Sequence, residues 1–223
     1  MGVRTARKDA YHELREAIVT GRFHPNERLV EASVAELIGA GRSAVRAALV
    51  RLDQEGLVVL EHNRGARVRL IDGRAALETE EVRAALEGML ARRAAARISP
   101  DDLAALDAMT AEMRDRVTHG DALGYSELNA KFHERIWAAA DHRTASRIVR
   151  GLKSQSIRFQ FQTALRPGRA ERSLHEHEAI VDALRRADGD GAESAMRGHL
   201  AEVLDTLRWA IQAHAQSASW SPA

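Results

Sequence analysis

The chain has no cysteine, which excludes disulfide scaffolds, thiolate metal sites and cysteine nucleophiles. No apolar run approaches the roughly 18 residues that a membrane span needs, and the first residues lack the apolar core of a secretion signal. An excess of one charge is also missing. Lys and Arg number 33 against 32 Asp and Glu, a formal net charge of +1, which argues against a purely electrostatic nucleic-acid binder. These absences together predict a cytoplasmic protein with no membrane partner. What remains is ample for folding: of 223 residues, 45% are apolar and 29% charged, enough for one large domain or two small ones with packed cores. The balance of charge is local rather than global. Residues 1–72 carry 12 basic against 10 acidic side chains and the remainder 21 against 22, yet the stretch from Ile38 to Leu52 holds Arg42, Arg46 and Arg51 and no acid.

Tyr11, Leu14, Ala17 and Ile18 recur at helical spacing, with Gly21 as a C-terminal cap. Pro25-Asn26 reads as a turn. Val30, Val34, Leu37 and Ile38 form a second short apolar face, broken by Gly39-Ala40-Gly41, and Val45, Ala48, Leu49 and Leu52 a third, ended by Gly56. Two short helices joined by a tight glycine turn after a preceding helix make a helix-turn-helix. Leu57–Leu60 and Ala66–Leu70 are β-prone, with turn residues between them. They predict a two-stranded hairpin, which is marginal alone and must pack on the helices as a wing. Ile71–Arg74 is the expected linker. Beyond it the chain is rich in Ala, Leu, Arg and Glu and shows no strand pattern. Ser99-Pro100-Asp101-Asp102 opens a helix whose face carries Leu103, Leu106, Met109 and Met113. Breaks at Gly120, Asp141-His142, Pro167-Gly168 and Gly189-Asp190-Gly191 leave about six helices over residues 75–214, a bundle by pattern, with a frayed tail from Gln216 to Ala223. The expected fold is mainly α: a winged helix-turn-helix over residues 1–72 (three helices plus a β-hairpin) and an all-α bundle over residues 73–223.

Arg42, Ser43 and Arg46 lead the third helix. A recognition helix enters the major groove by its N-terminal residues, and Arg42 and Arg46 at i,i+4 project from one face. The arginine fork matches O6 and N7 of guanine, and Ser43 can donate to a phosphate or a base edge. Arg51, a turn further on, suits a backbone contact or a solvated charge. The tip of the wing, His62, Arg64 and Gly65, is placed to meet phosphates or the minor groove. Any single exposed arginine is more simply read as solvated. The full order of helix, turn, arginine-led helix, glycine stop and basic hairpin favours DNA.

Residues 10–70 resemble the winged helix-turn-helix of GntR-type bacterial regulators. The segments that carry the likeness are Leu14–Arg22, Pro25–Glu31, Arg42–Leu49, Glu55–Val58 and the wing Asn63–Ala66. The resemblance implies that Arg42, Ser43, Arg46, Arg64 and Gly65 touch a short palindromic operator in double-stranded DNA. Gly41 stands where that family usually has a serine N-cap, Ala44 where it has proline and Ala47 where it has glutamate. These departures bear on which operator is read.

Three histidines of the second region lie on apolar helix faces: His133 with Phe132, Ile136 and Trp137, His177 with Ile180, Val181 and Leu184, and His199 with Met196 and Val203. Asn129 precedes His133 by one turn. An imidazole in a core needs a partner, so these groups either are hydrogen-bonded structural residues or converge on a divalent ion. Nitrogen ligands suit Zn, Ni, Cu or Fe(II) better than Ca or Mg. His175, with Glu178 and Asp182 as its helical neighbours, is expected to face solvent. Residues 77–210 resemble the FCD ligand-binding domain of the FadR branch of the same regulators, through Glu81–Glu87, Phe132-His133, Glu176–Ala183 and Met196–Leu200. Many such domains hold a metal with one Asp and three His. The resemblance maps those positions to Asn129, His133, His177 and His199, with Asn129 in place of the usual Asp; by ligand type Zn or Ni is the expected ion. It also maps Arg83 to the arginine that faces an effector, a small organic acid. The plainer alternative for Arg83 is a surface ion pair with Glu80 or Glu87.

The leading expectation is therefore a homodimeric, ligand-controlled repressor. An enzyme is disfavoured, since Trp137 stands where the HExxH zinc-protease pattern needs histidine and no carboxylate is seen on the histidine faces to serve as a general base. A third reading makes the metal itself the signal.

Overall fold

The computed structural model describes residues 9–19, 21–24, 26–61, 64–69, 73–164 and 166–218. Pro25 of the expected turn, His62 and Asn63 of the wing tip, Ile71 and Asp72 of the linker and the end of the tail from 219 onward lie outside them. The chain forms two compact units, Met1–Asp72 and Gly73–Ala223. No helix among the described residues is long and apolar enough to cross a membrane.

The first unit holds α1 (Ala10–Val19), β1 (Arg28–Leu29), α2 (Glu31–Ile38), α3 (Arg42–Gln54), β2 (Val58–Glu61) and β3 (Gly65–Val68). Asn26 adopts the left-handed conformation, φ 65, which asparagine tolerates. The sheet has three strands, antiparallel in the order β1-β3-β2, with Leu29 opposite Ala66 and Val58 opposite Val68. The expected two-stranded hairpin thus gains a third strand. β1 is only two residues long, too short to show an alternation. Leu14, Ile18, Leu29, Val34, Val45, Leu49, Leu52, Val58, Ala66 and Val68 fill the core. Two expected core positions move: Val30 is 42% and Leu37 52% exposed, and the small Ala35 is buried in α2 instead. Tyr11 donates its hydroxyl to Glu55 at 2.6 Å beneath the Arg51 guanidinium, which lies 3.5 Å from the ring centroid. This pins α1 to the end of α3.

The second unit is built from α4 (Gly73–Ala95), α5 (Pro100–Thr118), α6 (Ala122–Ala139), α7 (Arg143–Ala164), α8 (Arg169–Arg185) and α9 (Gly189–Ala218). Ser99 caps α5 as the sequence implies, accepting from the Asp102 amide with Pro100 in the first turn. Asp121 caps α6 through the Gly124 amide. α4 packs along α9, with α6 and α7 also against it, and α8 lies on α9. Leu90, Ala94, Leu106, Phe132, Ile136, Trp137, Ile180, Leu184 and Met196 form the core, and the site residues sit among them.

Gly65 opens β3 with φ +85, and a Cβ there would lie 2.3 Å from the Leu29 carbonyl oxygen. The conformation and the close approach of β1 both require glycine. Gly65→Ala is expected to destabilise the first unit by about 1–3 kcal/mol. Urea unfolding with amide exchange at β1–β3 measures this. An unchanged midpoint contradicts the steric argument.

Candidate functional site

In the first unit, Arg42, Ser43 and Arg46 are all exposed on the first two turns of α3. Gly41 caps this helix without a side-chain hydrogen bond, as the missing serine implies. Arg46 is exposed yet engaged: its Nε and Nη2 donate to the two oxygens of Glu31 on α2 at 2.8 and 2.7 Å. Arg51 is drawn away to Glu55 and the Tyr11 ring. Arg64 is exposed, and its carbonyl accepts from Arg28 Nε. The glycine at 65 is already explained by the packing of β1.

In the second unit α6, α8 and α9 bring His133, His177 and His199 together. Their ligand nitrogens all lie within 4.8 Å of one another. Ring centroids are 5.2 Å apart for His133–His199, 4.6 Å for His177–His199 and 5.7 Å for His133–His177, and all three residues are buried. His175 faces solvent, as its neighbours imply.

Carboxylates do stand behind the histidines, contrary to the expectation that none would. Glu87 of α4 accepts from His133 Nδ1 at 2.7 Å and from Trp137 Nε1 at 3.1 Å. Glu176 of α8 accepts from His199 Nδ1 at 2.7 Å. A search along single helices misses both, because each reaches across to another helix. The roles differ from that of a general base: the carboxylates orient the rings. A carboxylate can only accept, so Nδ1 carries the proton and Nε2 keeps its lone pair in His133 and His199. Among the described residues His177 has no hydrogen-bond partner at either nitrogen, and neither does the buried Asn129 Oδ1.

Burial pushes His177 and His199 well below the ordinary histidine value, and the neighbouring rings add to the effect. Burial lowers His133 too, although Glu87 pulls it the other way. The rings are therefore neutral near neutral pH, the state in which imidazole ligates metals. Burial alone would raise the Glu87 carboxyl, but Arg83 and His133 hold it well below the usual carboxylate range. One nitrogen from each of the three rings, with the unpartnered Asn129 Oδ1 that lines the same cleft as His133 and His199, makes a donor set that fits a divalent ion.

Beside the cluster opens a small cleft, with room of about 40 Å³, lined by Arg83, Tyr125, Asn129, His133, Arg169 and His199 among others. Arg83 lines this cleft. It also makes both ion pairs of the plainer alternative, to Glu80 and Glu87 at 2.6 Å, but buried rather than on the surface. Sequence reasoning missed Arg169, whose two Nη atoms donate to Glu176. It also missed Lys153, which donates to the Ala130 carbonyl and lies 5.2 Å from the Trp137 ring centroid. Burial, with Arg83 adding to it, pushes the Lys153 amine down to about 8. Burial pushes the Tyr125 phenol up to about 12.

Residues 78–202 match the family model of the FCD domain, and residues 6–68 that of the bacterial regulatory proteins of the gntR family. The chain is 28% identical over 210 residues to the HTH-type transcriptional repressor RspR of Escherichia coli (strain K12), covering 94% of this chain and 91% of that protein. It is 26% identical over 197 residues to the Nta operon transcriptional regulator of Aminobacter aminovorans, covering 86% of this chain and 92% of that protein. Among solved structures, Escherichia coli McbR/YncC aligns with a TM-score of 0.74 at 19% identity, over 92% of this chain and 98% of that one. A transcriptional regulator GntR from Rhodococcus sp. RHA1 aligns at 0.66 and 22% identity, over 92% and 98%. At these identities the structural likeness speaks for the fold.

Glu87→Ala leaves Arg83, His133 and Trp137 short of a buried acceptor. It is expected to cost about 3–5 kcal/mol in urea unfolding, whereas Glu78→Ala, which breaks an exposed pair with Arg74, is expected to cost less than about 1 kcal/mol. Equal losses contradict the assignment of Glu87 as the charge anchor of the cluster.

Proposed function

The chain belongs to the gntR family of bacterial regulatory proteins, in the form that carries an FCD domain, and from that membership we propose a cytoplasmic, homodimeric repressor whose operator binding is tuned by a small organic acid held beside a divalent metal. The family is one of transcriptional regulators rather than enzymes. The observation that carries the finer reading is the buried three-histidine cluster with unpartnered His177 nitrogens, opening at His133 and His199 onto a cleft that two arginines line.

His133, His177 and His199, with the Asn129 amide oxygen, would hold the ion, Zn or Ni first by ligand type. When bound, it supplies a Lewis-acidic centre beside the cleft. The chain's own residues do the rest. Glu87 and Glu176 keep Nε2 of His133 and His199 free as donors. Around the site the charged side chains balance: Arg83, Lys153 and Arg169 stand against Glu80, Glu87 and Glu176. Adding a divalent cation among neutral ligands leaves an uncompensated charge in a buried place, which favours an anionic co-ligand. A carboxylate meets that need, and the remaining N–H groups of Arg83 and Arg169 orient it. The acid alters operator affinity by binding unequally to two arrangements of the dimer.

At the operator, two copies present Arg42, Ser43 and Arg46 to half-sites of a palindrome, with Arg64, Gly65 and His62 of the wing alongside.

Two outcomes test this reading. Zinc titration with a chromophoric competitor is expected to show tight binding in the wild type, loss of it in His177→Ala, and a roughly 10–100-fold weakening in Glu176→Gln. Binding that survives His177→Ala removes the metal from the account. Arg42→Ala is expected to lose about 1–3 kcal/mol of discrimination at one base pair of a library-selected duplex. Gel shifts over a salt series measure this, and a uniform loss across all sequences reduces Arg42 to a phosphate contact.

A further inference from the structure

The arginine pair at the front of α3 is not symmetric, because Arg46 comes with a carboxylate. Its Nε and Nη2 donate to Oε1 and Oε2 of Glu31 at 2.8 and 2.7 Å, and its side chain stays 73% exposed while Glu31 is 24% exposed. Glu31 is the acid in the first turn of α2, a helix whose N-cap, Val30, makes no side-chain hydrogen bond. A carboxylate is favoured at that end of the dipole, so the charge of Glu31 is well placed there. The hydrogen bond from Arg46, with Arg42 acting through space, holds its carboxyl below the usual range.

A guanidinium carries five N–H donors in a rigid plane. Glu31 takes the one on Nε and one on Nη2. Three donors are left over, and of these the second on Nη2 and one on Nη1 point side by side as a fork at the outer end of the side chain. That fork matches the paired O6 and N7 acceptors of guanine. A backbone phosphate approaching the same place meets the Glu31 carboxylate, a like charge.

The geometry points to Glu31 as a specificity-determining residue, which holds Arg46 end-on for guanine and turns phosphate away from it. This rests on the DNA-binding reading given above. Glu31 itself makes no base contact; it is a positioning residue acting through Arg46. Free of it, Arg46 would be a mobile cation able to bind any sequence.

The test uses the full-length protein and a randomised duplex library. The wild type is expected to select a consensus with a guanine whose preference vanishes in Arg46→Ala. In Glu31→Gln and Glu31→Ala that preference is expected to relax. The affinity ratio between the selected and a scrambled duplex falls about tenfold, the scrambled duplex binds more tightly, and the salt slope steepens by about one. A purely structural tie between α2 and α3 predicts something else: equal weakening on both duplexes with a lowered unfolding midpoint. That result, or an unchanged ratio, overturns the assignment. Where a Glu31 variant does not fold, Arg46→Lys decides, since it keeps the charge beside Glu31 but has no fork. Guanine preference lost with scrambled-duplex affinity retained supports the inference, and preference retained defeats it. A wild type that selects no consensus defeats the DNA-binding reading and this inference with it.

Discussion

The burial of His177 is the constraint around which the second unit is arranged. Among the described residues both ring nitrogens lie in the core without a hydrogen-bond partner, and a buried polar atom left unmatched costs roughly 1–3 kcal/mol. An aliphatic residue on the same face, beside Ile180 and Val181, would avoid that cost. Nothing in the packing asks for an imidazole: its near neighbours are the Phe132 ring at 4.6 Å and two further histidines. On the proposed reading the position is one member of a ligand set, in which the lone pair of one ring nitrogen would acquire its partner from outside the chain. His133 and His199 are prepared for the same role more thoroughly, each fixed in orientation and tautomer by a carboxylate from a different helix.

Those carboxylates tie the cluster to the rest of the bundle. Glu87 receives Arg83, His133 and Trp137, so α4 and α6 are joined at one oxygen pair. Glu176 receives Arg169 and His199, joining α8 to α9. A ligand that displaced either arginine from its glutamate would therefore disturb a histidine as well. Cleft and cluster form one electrostatic object, in which a change at an arginine is felt at an imidazole through a single shared carboxylate.

The three histidines were legible in the sequence because helical periodicity puts each on an apolar face, and an apolar face in a bundle is buried. Their carboxylate partners were not, for a geometric reason. Glu87 and His133 are 46 residues apart, Glu176 and His199 are 23 apart, and no pattern along one helix relates them. Glu176 was further hidden by preceding His177 directly, since successive helical side chains diverge by about 100°. Arg83 shows a different limit. Its i−3 and i+4 glutamates announced the ion pairs, but the extent to which α6, α7 and α9 cover α4 is a tertiary fact that turned a surface pair into a buried one. In the first unit the helix-turn-helix was plain from glycine punctuation and apolar spacing. The two-residue β1 and the inward turn of Ala35 rather than Leu37 were beyond such a reading: one is too short to have a period, and the face that α2 turns toward α3 is set by tertiary packing.

The amide at position 129 has a consequence that follows from charge alone. A carboxylate there would compensate half the charge of a divalent ion, whereas Asn129 compensates none. The donor set presented here is wholly neutral, and the cationic and anionic side chains around it already offset one another. An ion entering such a site brings its full charge into surroundings of low dielectric, where an unpaired charge is costly. An anion in the adjoining cleft relieves that cost more than it would beside a carboxylate-containing set. On the proposed reading, metal and acid would thus be more strongly interdependent in this chain than in a site with Asp at that position. The coupling is reciprocal: whatever the ion adds to the affinity for the acid, the acid adds to the affinity for the ion.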